Sequence, residues 1–363
     1  MILIRALFFV NSFSGGGAER VCLNLAEQLK DIGIESDFVL VYDTAADYEI
    51  PEYFNVFSLK IDVRDTSLKA LLDIMKAVPK VNRFIVDQEY VLITAHLQPS
   101  YLLASLTTVG KRCLYVIHSR WHRVDAPNSF MKILGLQIIL KNKKIVSVSK
   151  GLEAELVNRY RIKSQNITTI YNPCKMIRKP ETEKQSLYRR KYILFMGRLI
   201  DLKNPLRALE LYYRGSFYLK YDLVYLGQGS LEKALREQID QYNLKEYVHI
   251  AGFQKNPEPW LRGASLLLSC SKQEGLPMNL VEALICGVPV VSDDCPHGPN
   301  EILTGELASY LTRSDEDFDK TIQTISSALE FYPVIEEKYY RKFDSKLIVR
   351  TYLDKWKNFF ESG

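Results

Sequence analysis

No apolar run in the 363-residue sequence approaches the ~18 residues that a membrane-crossing helix needs. Its six cysteines, at 22, 113, 174, 270, 286 and 295, form no Cys-x-x-Cys pair and share no regular spacing. That argues against a zinc ribbon, a disulfide framework or a thiol-redox motif, and leaves buried thiols in a reducing compartment. No Pro/Gly-rich or acidic low-complexity tract occurs, so the chain reads as globular throughout. Neither sign of charge is clustered: 48 Lys and Arg against 43 Asp and Glu leave a net +5. Such a mild excess fits an anionic substrate or an anionic membrane surface. Dispersed cations with no recognisable docking motif give no support to nucleic-acid binding.

What is present is alternation. The length exceeds one ordinary core, which predicts two domains. Ile2 to Val10 is apolar but short, lacks a basic leader and ends in Asn-Ser, so it reads as a first buried strand rather than a signal sequence. Further strand-like runs fall at 36–42, 90–95, 113–118, 144–149 and 167–171. Helical-period segments separate them; in 18–33 the residues Val21, Leu25, Leu29 and Ile32 recur on one face and Gly33 closes the run. The stretch 171–191 is polar, holds two prolines and shows no period, as a connector does. Alternation then restarts at 192–197, 221–227, 246–253, 264–271 and 288–293. The expectation is two successive α/β domains, each a doubly wound parallel sheet, at 1–172 and 173–345. A C-terminal helix, about 346–363, is expected to pack back on the first. Sheets of this type bind ligands beyond the carboxyl ends of their strands, and two facing domains would put the site in a cleft.

Three stretches carry chemistry. In NSFSGGGAERV a glycine-rich turn leaves the first strand and opens a helix, where backbone N–H groups and the helix dipole favour an anion. It is neither a dinucleotide fingerprint, because Arg20 stands where a third glycine belongs, nor a P-loop; a plain tight turn is the alternative. In FMGRLIDLKNPLRALEL, Arg198 and Lys203 follow a strand and precede a helix that Asn204 would cap, with Pro205 at its first position. Two cations there could clamp a diphosphate or be a solvated surface pair. In SKQEGLPMNLVEALICGVPVV, Glu274 sits in the turn after a buried strand and Glu282 in the helix beginning near Pro277. A carboxylate in surroundings as apolar as those of Glu282 is costly without a partner, and paired carboxylates suit the vicinal hydroxyls of a sugar or ribose.

EGLPMNLVE resembles the Glu-x7-Glu signature of retaining GT-B glycosyltransferases, and the whole chain is similar to glycosyltransferase family four. GGGAERV, GRLIDLKN and Glu274-x7-Glu282 occur in that family's order. The resemblance implies a GT-B fold, two Rossmann-like domains facing across a cleft, with the nucleotide sugar held by the second and the acceptor by the first. It also implies that Gly16 and Gly17 approach the donor diphosphate, that Arg198 and Lys203 neutralise it as it leaves, and that Glu282 holds the ribose. Glu274 would contact the donor sugar, with the backbone of Gly275, Leu276 and Pro277 lining its pocket. His118 matches a histidine that the family places near that sugar; His96 and His122 read as structural or acceptor-side. The family's glycine-rich turn before its last glutamate is altered here to HGPNE, leaving the role of Glu301 open.

The expected reaction is a retaining transfer of a hexose or N-acetylhexosamine, without metal or other cofactor. The donor would be a nucleotide sugar, UDP-linked, with UDP-galactose, UDP-GalNAc or UDP-GlcNAc favoured by the variant DDCPHGPNEIL. The acceptor would be a glycan or lipid-linked glycan of bacterial surface polysaccharide. Asp-x-Asp, the metal motif of the other common transferase fold, appears only at Asp315–Asp317 and Asp317–Asp319, in a polar helix start. The segment 129–145 mixes Ile133, Leu134, Leu136, Ile138, Ile139 and Leu140 with Lys132, Lys141, Lys143 and Lys144. It reads either as a basic membrane-surface helix or as a helix packed on its sheet. The resulting expectation is a cytoplasmic protein, peripheral on the inner face of the membrane if the first holds. The competing readings are a relative that hydrolyses or epimerises nucleotide sugars and a catalytically silent binder.

Overall fold

The computed structural model describes residues 4–14, 16–42, 50–62, 68–120, 129–176, 188–313 and 318–361. His122, Asp315 and Asp317 and most of the connector lie outside them. The chain divides into two compact units, 1–175 with 343–363, and 176–342.

The first unit opens with β1 (Arg5–Val10), α1 (Gly17–Lys30), β2 (Glu35–Tyr42) and β3 (Asn55–Ile61). It continues with α2 (Leu68–Ile85), β4 (Tyr90–His96), α3 (Gln98–Leu106) and β5 (Leu114–Ile117). Then come α4 (Ser129–Leu140), β6 (Lys144–Ser147), α5 (Lys150–Asn158) and β7 (Ile167–Thr169). All seven strands are parallel, in the order β3-β2-β1-β4-β5-β6-β7. A central strand covered on both faces must be apolar along its whole length, and Ala6 to Val10 of β1 are fully buried. Phe8 stacks on Phe38 of β2, ring centroids 4.9 Å apart.

The amino edge of this sheet is tied by one buried carboxylate. Asp37 accepts hydrogen bonds from Arg5, from the hydroxyl of Tyr90 at 2.8 Å and from Asn55 at 3.3 Å, joining four strands. Burial, with the Asp37 charge beside it, pushes the Tyr90 phenol well up, so it stays a donor.

The second unit holds β8 (Tyr192–Met196), α6 (Pro205–Arg214), β9 (Asp222–Leu226), α7 (Glu232–Gln241), β10 (Val248–Gly252) and α8 (Glu258–Gly263). It ends with β11 (Leu266–Ser269), α9 (Met278–Ile285), β12 (Val290–Asp293), α10 (Pro299–Ile302), β13 (Leu311–Thr312) and α11 (Phe318–Glu330). Its parallel strands run β10-β9-β8-β11-β12-β13, the dinucleotide-fold order. The chain then returns to the first unit as α12 (Ser345–Phe360), which packs on α1 and β4 with Tyr352 and Trp356 buried. The Trp356 indole N–H donates to the Arg112 carbonyl at 2.7 Å. Departure and return lie side by side, since Cys174 N–H donates to Phe343 O at 2.7 Å and Ser345 N–H to Cys174 O at 3.1 Å.

Several local expectations are corrected. The helix expected over 18–33 ends at Lys30; Ile32 lies in the following turn and is exposed, with Gly33 at φ +82°. β3 escaped the sequence pattern because it is an edge strand with mostly part-exposed residues, and β13 because it is two residues long. In α4, Leu136 and Leu140 are buried while Leu134 and Ile138 are exposed. Lys143 donates to Gly110 O at 3.1 Å and Lys144 to Asn166 at 3.1 Å, so two of the four lysines there serve the fold.

Tyr90→Phe leaves Asp37 one hydrogen bond short inside the sheet edge. It is expected to destabilise the first unit by about 1–2 kcal/mol, read as a lower urea midpoint with unchanged slope.

Candidate active site

In each sheet the strand order reverses at one place, between β1 and β4 in the first unit and between β8 and β11 in the second. The loops leaving those strands diverge to opposite faces and open a crevice, the place where such sheets take ligands.

In the second unit the loops leaving β8 and β11 hold Arg198, Lys203, Glu274 and Gly275 to Pro277. The loop after β8 is anchored by Leu199, which is fully buried; its N–H donates to Gln228 O at 3.0 Å and its carbonyl accepts from Leu231 at 2.9 Å. This works because Gly227 has φ +144° and no Cβ; a side chain there would overlap the Gly197 carbonyl. The sequence reading gave Gly227 no role, although a glycine ending an apolar strand is the available signal. Arg198 is exposed on this loop. Lys203 folds under it, and its ammonium pairs with Glu274, whose side chain is only 9% exposed. The same two loops are joined again by Lys272, whose N–H donates to Leu202 O at 2.8 Å and whose ammonium lies 2.6 Å from Asp201.

Asn204 does occupy the position before α6, with Pro205 next, but its side chain caps nothing. Its backbone is left-handed, φ +53°, a conformation that asparagine tolerates better than most residues. Behind it, Arg207 of α6 pairs with Asp293 at the end of β12 at 3.1 Å, both side chains nearly inaccessible. This bracing was not read from the sequence; an arginine on an apolar helix face was its only trace.

α9 starts at Met278, and no side chain caps it. Asn279 donates from its amide to Met196 O at 2.9 Å, fixing that face of the helix against the end of β8. Glu282 lies one turn on along the same face and is half-buried. Over the Gly275–Pro277 segment lies the loop after β12. His297 (φ +69°) and Gly298 (φ +97°) turn it, and a Cβ on Gly298 would stand 2.5 Å from Pro277 Cδ and 2.9 Å from Leu276 Cα. The altered turn HGPNE thus does its packing through one glycine. Glu301 is half-buried in α10, with its carbonyl accepting from Lys342.

In the first unit, Gly16 precedes α1 with extended backbone, and a Cβ on it would overlap the Glu19 carboxylate. A carboxylate therefore already lies at the positive end of α1, whereas Gly17 has open space where a side chain would be. His118 follows β5, and its Nε2 lies 2.8 Å from Nδ1 of His96, the last residue of β4. Burial pushes His118 down to about 4, and burial together with the neighbouring His118 pushes His96 well below the ordinary histidine range. Both rings are neutral at pH 7. Among the described residues no group of three or more His, Cys, Asp or Glu is placed to hold a metal ion. No helix among them is long and apolar enough to cross a membrane.

Residues 178–341 match the family described as glycosyl transferases group 1, and residues 15–175 match glycosyltransferase family 4. Together these span nearly the whole chain, which belongs to the family-four glycosyltransferases and has the GT-B fold. An N-acetylgalactosaminyltransferase of Campylobacter jejuni, acting on N-acetylgalactosamine-N,N'-diacetylbacillosaminyl-diphospho-undecaprenol, is 28% identical over 89% of this chain and 89% of its own. A lipopolysaccharide 1,6-galactosyltransferase of Salmonella typhimurium is 27% identical over 48% of this chain and 49% of its own. Among solved structures, a Staphylococcus aureus TarM variant bound to fondaparinux, α-GlcNAc-glycerol and UDP superposes with TM-score 0.80 at 14% identity, covering 99% of this chain and 100% of that one. Anabaena HepE with UDP and glucose gives 0.72 at 18% identity, covering 98% and 99%.

Gly298→Ala forces a left-handed alanine against Pro277. It is expected to cost about 2 kcal/mol or more, measured by denaturant unfolding. The neutral histidines give a pH dependence: their folded pKa values lie below the unfolded ones, so the unfolded chain takes up protons first. Stability falls as pH drops below ~6.5, on the order of 1 kcal/mol per unit for His118 until its own pKa. Unfolding midpoints at pH 7 and pH 5 check this, and His118→Gln flattens the difference.

Proposed function

We propose that the protein is a metal-independent, retaining glycosyltransferase. It moves a hexose or N-acetylhexosamine from a UDP-sugar to a lipid-linked glycan in bacterial surface polysaccharide biosynthesis. The observation that carries this reading is the Lys203–Glu274 pair at the reversal point of the second sheet, with Arg198 on the same loop. Cleaving a glycosyl–phosphate bond builds positive charge on the sugar and negative charge on the departing diphosphate. Arg198, Lys203 and the uncapped amino end of α9 supply fixed positive charge for the second, the preorganisation that lowers such barriers. They take the part a divalent metal plays in other transferases. Glu274 holds Lys203 in place before the donor arrives and contacts the donor sugar; Glu282 accepts from the ribose hydroxyls. Gly275 to Pro277 shape the pocket floor, and Gly16, Gly17 and His118 are assigned to the donor from the first unit.

The UDP reading draws on TarM and HepE, both solved with UDP. The acceptor reading draws on the C. jejuni relative, whose substrate is carried on diphospho-undecaprenol. A lipid-borne acceptor also gives the exposed Leu134 and Ile138 of α4 a use, as a peripheral contact with the inner face of the membrane.

The test is UDP release from UDP-galactose, UDP-GalNAc and UDP-GlcNAc with a bacterial glycolipid extract and excess EDTA. Extract-dependent release from one donor, unaffected by EDTA, is expected. Lys203→Ala and Glu282→Ala are each expected to lower it on the order of 100-fold or more. Release that needs restored metal ends the metal-independent reading; release at full rate without extract points to hydrolysis.

A further inference from the structure

On β4, which borders the reversal point of the first sheet, and at the end of the neighbouring β5, three polar groups form a chain. Thr94 and His96 are two apart on β4 and so share one of its faces. His96 Nε2 lies 3.0 Å from Thr94 Oγ1, and His96 Nδ1 lies 2.8 Å from His118 Nε2. Thr94 and His96 are completely inaccessible to solvent. Ser100 at the start of α3 donates to the His96 carbonyl. The next residue, Leu97, has φ +72° and ψ 160°, a region that only glycine enters without strain. The backbone beside His96 is therefore held in place against its local preference.

We propose that Thr94 and His96 form a relay that fixes His118 as its Nδ1–H tautomer, making His96 a positioning residue for the histidine assigned to the donor sugar. The proposal rests on that assignment. Its logic is one of satisfied donors. A buried hydroxyl must place its proton on an acceptor, and His96 Nε2 is the one hydrogen-bond partner of Thr94 Oγ1 among the described residues. His96 Nε2 then carries a lone pair, so its proton sits on Nδ1 and is donated to His118 Nε2. His118 Nε2 in turn accepts, and the His118 proton sits on Nδ1. Nδ1 has no hydrogen-bond partner among the described residues, and it is offered as a donor, suited to a sugar hydroxyl or ring oxygen. The reverse chain, with His96 donating to Thr94, would leave the buried hydroxyl proton without an acceptor.

Nitrogen-15 NMR of histidine-labelled protein at pH 7, assigned with His96→Gln and His118→Ala, reads the tautomers directly. Both His96 and His118 are expected as Nδ1–H, Nε2-unprotonated rings. An Nε2–H form of His118 in the wild type overturns the proposal. Thr94→Val keeps the shape and removes the donor, so His118 should become a mixture of tautomers, and Thr94→Ser should restore the single form. Kinetics use whichever of UDP-galactose, UDP-GalNAc and UDP-GlcNAc gives the fastest UDP release. Thr94→Val should lower kcat on the order of 10-fold with KM little changed, and Thr94→Ser should recover most of it. If His118→Ala abolishes turnover while Thr94→Val does not alter it, the relay is wrong and the role of His118 stands. If His118→Ala also turns over normally, the assignment of His118 itself fails.

Discussion

Lys203 and Glu274 lie 71 residues apart in sequence and meet as a half-buried ion pair. They meet because β8 and β11 are neighbours in the sheet while their outgoing connections run to opposite sides. At this reversal the two loops diverge beyond the sheet edge and leave a crevice, the place where such sheets take ligands. An ammonium so placed, with a carboxylate to hold it, is oriented before any ligand arrives. Much of the second unit serves that placement: Leu199 seats the first loop, Lys272 ties the second loop to it, and the Arg207–Asp293 pair fixes the helix that follows.

The two units repeat one construction with different chemistry at the reversal point. In the second it carries cations and carboxylates suited to a diphosphate and hydroxyls. In the first it carries a glycine turn and, on β4 and the neighbouring β5, a threonine and two neutral histidines joined by hydrogen bonds. Neutrality there follows from burial, which disfavours the imidazolium. On the proposed assignment of His118 to the donor, a neutral ring offers a directed hydrogen bond without repelling the positive charge that would develop on the sugar.

The fold was legible because fully buried parallel strands have to be continuously apolar, and runs such as 192–197 and 264–271 announce themselves. β3, half-exposed at the sheet edge, obeys no such rule and left no run. At the site, the residue types were readable and the contacts were not. Arg198, Lys203, Glu274 and Glu282 stood out as charges at strand exits, but nothing in the sequence says that Lys203 rather than Arg198 faces Glu274. Asn204 stands at the cap position as expected, but asparagine suits either a capping side chain or a left-handed backbone, and only the latter occurs. The Thr94–His96–His118 chain was illegible for a related reason: it joins two strands, and its register depends on His96 standing opposite Val116.

The measurement that bears most directly on the account is amide hydrogen exchange of the intact protein with and without saturating UDP. Binding at the reversal point of the second sheet predicts slowed exchange in 197–204, 227–231 and 274–282. UDP that slows exchange elsewhere and leaves these three segments unchanged would contradict it.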